Sequence, residues 1–157
     1  MARALIIGCG CRGRDLGGTL LGRGWQVRGT TRTDAGLASI DSMGIEARIA
    51  DPNRVGSVVE QLDDVSLVVW ALGSAAGDAS ALNGPRLERM LEQIVDTPVR
   101  GFVYDGAGSA PAVDLKAGAA LVRKAGKRWR IPVTVVEAQP SEWAAAAADA
   151  ADRLIGL

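Results

Sequence analysis

The sequence predicts one three-layer α/β domain, a doubly wound parallel sheet with helices on both faces, and three observations predict it. The apolar runs are β-branched and do not alternate with polar residues, as expected of strands covered on both faces. Helical patterns separate the runs one by one, the order that builds βαβ units. A G-x-G-x-x-G at Gly8, Gly10 and Gly13 lies between the first run and the helix after it. At 157 residues the chain has the length of one domain, so 1–157 is read as a single unit without a separate substrate domain.

The first strand, Ala2 to Ile7, runs into the glycines, and a helix continues to about Arg23, where Gly24 stops it. Gln26 to Thr30 is the second strand; Ala35 to Met43 is a helix closed by Gly44; Ile45 to Ala50 is the third strand. A helix over Arg54 to Leu62 follows Asp51-Pro52, read as an N-cap with proline at the first helical position. Val65 to Leu72 reads as a central strand, and Gly73 to Gly84 as a loop of small residues. Then come a helix (Pro85 to Val95), a strand (Val99 to Tyr104), a loop (Asp105 to Pro111), a helix (Val113 to Trp129) and a strand (Pro132 to Val136). A terminal helix starts at Ser141, and its alanine run, Ala144 to Ala148, has helical propensity rather than the character of disorder. Six alternating strands predict the order 3-2-1-4-5-6, with right-handed crossovers and a ligand crevice at the strands' C-terminal ends.

Composition narrows the function. The 18 Lys and Arg balance 18 Asp and Glu, so no net charge draws in nucleic acid or an anionic membrane, and neither is expected as a partner. The absence of His removes His-based triads and His–Cys zinc sites. Cys9 and Cys11, one residue apart, suit neither an ordinary disulfide nor a four-ligand metal site, so no metal is expected. That cysteine usage, with no long apolar stretch, points to a reducing, cytoplasmic setting.

The glycine loop carries the strongest chemical signal. Gly8 permits the tight turn, Gly10 lets a pyrophosphate approach the backbone, and Gly13 lets the helix pack closely, with Gly17 one turn later assisting. The free N–H groups of the helix start, from Cys11 to Gly13, favour an anion; the blander reading is turn chemistry alone. Arg12 either adds charge to the phosphates or is a solvated surface arginine. At the tip of the second strand, Gly29-Thr30-Thr31-Arg32, no acid stands where NAD sites place one for the ribose hydroxyls, whereas an arginine there accommodates a 2′-phosphate. NADP is therefore favoured over NAD, with Arg32 as the phosphate ligand and Arg28 and Thr31 as assistants; the alternative makes Arg28 and Arg32 exposed charges. The missing acid also argues against an S-adenosylmethionine site. Asp51 is placed to reach an adenine edge, to cap the next helix, or both. Cys9 and Cys11 are either thiols activated by the helix N-terminus or simply small side chains in a tight turn. Lys124, Lys127, Arg128 and Arg130 complement a helix C-terminus, and the four tryptophans show no stacking pattern.

The segments Ala4 to Gly13, Gly24 to Arg32 and Gly44-Ile45-Glu46 together resemble the atypical short-chain dehydrogenase/reductase group, near the nucleoside-diphosphate-sugar epimerase-like proteins, over most of the chain. The resemblance implies a Rossmann domain in which Gly8, Gly10 and Gly13 bind NAD(P) and Arg32 favours NADP. It likewise implies that Asp51 contacts adenine and that Ala71, Leu72 and Gly73 flank the nicotinamide ribose. Catalytic members use Tyr followed four residues later by Lys, with Ser or Thr ending the fifth strand. Here the only tyrosine, Tyr104, is followed at that spacing by Gly108, and Lys116 is preceded by Ala112. The pair is absent, which leaves Tyr104, Ser109 and Lys116 as candidate substitutes. The expectation is an NADP(H)-binding protein of doubtful reductase or epimerase activity. The alternatives are a non-catalytic nucleotide sensor or interaction protein, and a reductase with a substituted donor among Tyr104, Asp105 and Lys116. A homodimer through Leu87, Leu91, Ile94, Leu115 and Val122 is a further expectation, set against their packing on the sheet.

Overall fold

In the computed structural model, which describes residues 2–157, the glycine-flanked runs become strands of one six-stranded sheet. The first half holds β1 (Arg3–Ile7), α1 (Cys11–Gly22), β2 (Gln26–Thr31), α2 (Asp34–Asp41), β3 (Glu46–Ile49) and α3 (Val55–Val59). The second holds β4 (Leu67–Trp70), α4 (Ala79–Leu82), α5 (Pro85–Ile94), β5 (Gly101–Asp105), α6 (Ala112–Trp129), β6 (Val133–Val136) and α7 (Pro140–Leu154). All pairings are parallel and the order is β3-β2-β1-β4-β5-β6, as the alternation predicts. The switch point lies between β1 and β4, with Ile7 paired to Trp70.

Side-chain parity divides the core in two. Leu5, Ile7, Val68, Trp70, Phe102 and Tyr104 face α3, α5 and α6. Ala4, Ile6, Leu67, Val69 and Val103 face α1 and α7. Both faces are dry, so successive strand residues are apolar and the polar alternation of a one-sided sheet never arises. The alanine run is helical in α7, where Ala144, Ala147, Ala148 and Ala151 are buried; their small size brings the helix close to α1. Arg23 donates to Asp149 and Asp152 at 2.9 Å, and the Trp25 indole N–H donates to Asp152 at 2.8 Å, pinning α7 to the end of α1.

Three expectations change. The helix after Asp51 starts at Val55 rather than Arg54, with no side-chain cap. Asp51 Oδ1 instead accepts from the Asn53 N–H (2.9 Å), making an Asx turn ahead of the helix. Its end tightens into i→i−3 bonds, Gln61 to Val58 and Leu62 to Val59, which shortens the helix to Val59. The fourth strand spans Leu67–Trp70 only: Val65 and Leu72 are buried but lie outside the strand, so the apolar run marks burial rather than pairing. The loop before α5 holds an unforeseen turn of helix, α4, capped by the Asp78 carboxylate accepting from Ala81 N–H at 3.1 Å. Leu87, Leu91, Ile94, Leu115 and Val122 are all buried within the chain, which leaves none of them free as a docking face. No helix among the described residues is long and apolar enough to cross a membrane.

Candidate functional site

A cleft of about 420 Å³ opens at the C-terminal ends of β1, β2, β3 and β4. Its floor is the glycine loop. The Gly8 N–H donates to Thr30 Oγ1 (3.2 Å) and the Cys9 N–H to the Thr30 carbonyl (2.9 Å), tying the loop to β2. Gly8 has φ +81°, and a Cβ there would overlap Leu72, so the turn requires glycine twice over. At Gly13 a Cβ would meet the Gly8 carbonyl and Ile6 Cγ2, each at 3.1 Å, and at Gly17 it would overlap Ile45; these glycines let α1 lie against the sheet. Gly10 differs in kind. It is the N-cap of α1, it is exposed, its φ of −79° suits any residue, and a Cβ on it would meet nothing within 4 Å. Neither packing nor backbone conformation requires glycine at position 10. The N–H groups of Cys11, Arg12 and Gly13 begin the helix without intrahelical partners and point the positive end of its dipole the same way.

At the β2 end, Thr30, Thr31, Arg32 and Gly36 line the cleft. Arg32 is exposed and makes no ion pair among the described residues. The cleft lining contains three arginines, Arg12, Arg14 and Arg32, and a single carboxylate, Asp105, which sits at the opposite end. Arg28 leaves the site altogether. It is buried, donates from Nε to Glu46 Oε1 at 2.7 Å, and donates to the carbonyls of Gln61 (2.7 Å) and Asp63 (2.9 Å) just past α3. That bond from Arg28 holds the Glu46 carboxyl below its usual range. Arg28 is thus a brace between β2, β3 and the end of α3, because it lies in mid-strand, three residues before the end of β2. Asp51 spends its carboxylate on the Asx turn, while its neighbours Ala50 and Pro52 line the cleft.

The β4–β5 end is built around an ion pair. Arg12 reaches across the switch point and donates to Asp105 Oδ1 (2.9 Å) and to the Ala107 carbonyl (3.1 Å), with its guanidinium 4.9 Å from the Trp143 ring centre. Asp105 is 2% exposed and also accepts from the N–H groups of Ala107 (3.1 Å) and Gly73 (3.2 Å). Burial pushes its carboxyl above the ordinary aspartate value, against the lowering pull of Arg12 and the two N–H donors. Arg12 is no solvated surface arginine: it lines the cleft and is paired with a buried acid. Ala71 and Leu72 line the cleft, but Gly73 lies beneath it, packed so tightly on Asp105 and Ala107 that a Cβ would overlap the Ala107 carbonyl. Ser74 takes the lining position, its hydroxyl accepting from Ser109 N–H at 2.9 Å.

Of the candidate proton donors, Asp105 lines the cleft and Tyr104, Ser109 and Lys116 do not. Tyr104 is completely buried, and its hydroxyl donates to Asn83 Oδ1 at 2.5 Å under α6, where Gly118 makes room for it. It faces the α5–α6 side of the sheet, not the crevice, and burial, with Asp105 and Asp114 adding to it, pushes its phenol well above the ordinary tyrosine range. Ser109 and Lys116 are exposed and outside the lining. Cys9 is buried against Gly29, and burial pushes its thiol up to about 12 despite nearby Arg14, so it is no activated nucleophile. Cys11 is exposed and lines the cleft. Sequence reading missed Arg14, Ser74 and the Arg12–Asp105 pair; the only advance signal for Arg14 was a cation one residue past the last loop glycine.

No protein-family model and no curated protein matches the chain. Solved structures do. The UDP-N-acetylglucosamine 4-epimerase of Bacillus cereus superposes with TM-score 0.69 at 14% identity, over 87% of this chain and 53% of that one. The Citrobacter sp. triphenylmethane reductase complexed with NADP(H) gives 0.68 at 19%, over 85% and 48%. Vestitone reductase from alfalfa (Medicago sativa L.) gives 0.68 at 18%, over 87% and 56%. The chain spans about half the length of these structures, and the likeness establishes the Rossmann fold.

Proposed function

We propose that the chain binds NADP(H) in this cleft, in the manner of the atypical short-chain reductases and epimerases. One observation carries the reading: Gly10 is open where the fold has no use for glycine, directly beside unpartnered helix N–H groups at the switch point of a doubly wound sheet. The diphosphate would lie on the N–H groups of Cys11 to Gly13. The 2′-phosphate would meet Arg32 and Thr31 at the β2 tip, where no carboxylate lines the cleft to claim ribose hydroxyls. Ala71 and Leu72 would flank the nicotinamide ribose. NAD is the weaker ligand on the same grounds. Among the fold neighbours, the Citrobacter reductase is described with NADP(H) bound.

Such a cofactor supplies hydride transfer; the chain's part in a reaction would be to place a proton donor beside it. Tyr104 is turned away under α6 and holds its proton on Asn83, which favours a nucleotide-responsive binding role over ordinary carbonyl reduction. Calorimetric titration with NADPH and NADH tests the binding half: tighter NADPH binding is expected, and equal or reversed affinities overturn it. A panel of aldehydes, ketones and quinones with NADPH tests the other half, and rapid oxidation of NADPH overturns it.

A further inference from the structure

We infer that Arg14 is a second determinant of cofactor choice, forming with Arg32 a two-arginine clamp on the 2′-phosphate. The inference rests on the dinucleotide reading above and adds a residue that neither the loop motif nor the β2 tip identifies.

The argument starts from helix geometry. Residues two apart on an α-helix point about 200° apart. Arg12 leaves α1 toward β5, where Asp105 holds it, so Arg14 leaves toward β2. The contacts agree: Arg14 donates to the carbonyl of Cys9, the residue whose sulfur packs over Gly29 of β2 and whose N–H bonds to Thr30. Arg14 lines the same cleft as Thr31, Arg32 and Gly36.

Charge accounting points the same way. Arg12 is paired with Asp105 and Arg28 with Glu46. Arg14 and Arg32 are the lining cations that have no carboxylate partner among the described residues. The bonds Arg14 does make are weak, one long at 3.5 Å to a carbonyl and one to the Cys11 sulfur, a poor acceptor, so it can turn to an incoming anion at little cost. A phosphate monoester carries nearly two negative charges at neutral pH, which two arginines match and one does not. The diphosphate, by contrast, is served by the helix N–H groups and needs neither.

The test is calorimetry of wild type, Arg14→Gln, Arg32→Gln and the double variant with NADPH, NADH and 2′,5′-ADP. Each single substitution should reduce the NADPH-over-NADH preference by about tenfold or more, the worth of one charge-assisted hydrogen bond, while the NADH Kd stays within about twofold. The 2′,5′-ADP affinity should fall in parallel. Arg14→Met serves as the second variant if Arg14→Gln fails to melt cooperatively. An unchanged preference in the Arg14 variants overturns the clamp, and so does equal weakening of NADPH and NADH, which would assign Arg14 to the diphosphate. Those outcomes leave dinucleotide binding standing; a wild-type protein that binds neither dinucleotide, or prefers NADH, removes the underlying reading as well.

Discussion

Replacing Arg12 with Met tests whether the Arg12–Asp105 pair is what holds the two halves of the sheet together across the switch point. Asp105 is 2% exposed, and three donors satisfy it, of which Arg12 is the only charged one. Removing one partner of a buried pair typically costs about 3–5 kcal/mol. Arg12 keeps 22% of its side-chain exposure, which places the expectation at the lower end, about 3 kcal/mol. For a chain of this size that lowers Tm by roughly 6–12 °C. The pH dependence gives the stronger test. Asp105 is already raised in the folded protein, so folded molecules bind its proton more tightly than unfolded ones, and its contribution to stability declines as pH rises from the unfolded value near 3.9 through the folded value. Loss of Arg12 raises that folded value further. The variant's deficit should therefore be largest at neutral pH and shrink as the solution is acidified and Asp105 takes up its proton. The double variant Arg12→Met/Asp105→Asn, with no buried charge left, should recover most of the loss at neutral pH. Urea unfolding at several pH values measures all of this. A deficit that does not shrink on acidification, or a double variant no better than the single, would refute the reasoning.

Two further outcomes follow from the same geometry. Tyr104→Phe strands the buried Asn83 oxygen and should cost about 1–2 kcal/mol in denaturant melts without changing NADPH affinity; an NADPH-dependent turnover that vanishes in this variant would restore Tyr104 as a proton donor. A thiol reagent should label Cys11 in the native protein and Cys9 only after unfolding, because Cys9 is buried with its thiol pushed up to about 12, and NADPH should protect Cys11; rapid native labelling of both would contradict the packing of Cys9 on Gly29.

The fold was legible because its signals are local. Unalternating strands, intervening helical periods and three spaced glycines lie within short windows, and together they fix the sheet order and the floor of the cleft. What stayed hidden depends on distant partners or on parity. Arg12 and Asp105 are 93 positions apart, so no window holds both. Tyr104 and Asp105 are adjacent at the end of β5 and therefore point to opposite faces; the sequence offered the tyrosine as a substitute proton donor, and the register gives the cleft the aspartate instead. Its parity with Phe102, and with Trp70 across the strand pair, was the available clue. Arg28 looked like a member of the β2 tip, yet three positions of strand put it within reach of Glu46 and the end of α3 instead. Asp51 was read as a cap for the helix after β3, but its carboxylate accepts from the Asn53 N–H in an Asx turn ahead of that helix, which has no side-chain cap.

The central claim is that the glycine loop receives a dinucleotide diphosphate, and Gly10 tests it most directly. The backbone there tolerates any residue and a Cβ meets no protein atom, so Gly10→Val should fold and melt cooperatively near the wild-type temperature. Its branched carbons would project into the space the diphosphate requires. Calorimetric titration with NADPH should show a saturable isotherm for wild type and no detectable binding for Gly10→Val at concentrations that saturate wild type. Equal NADPH affinity in the two proteins would mean that the loop is only a strand-to-helix turn.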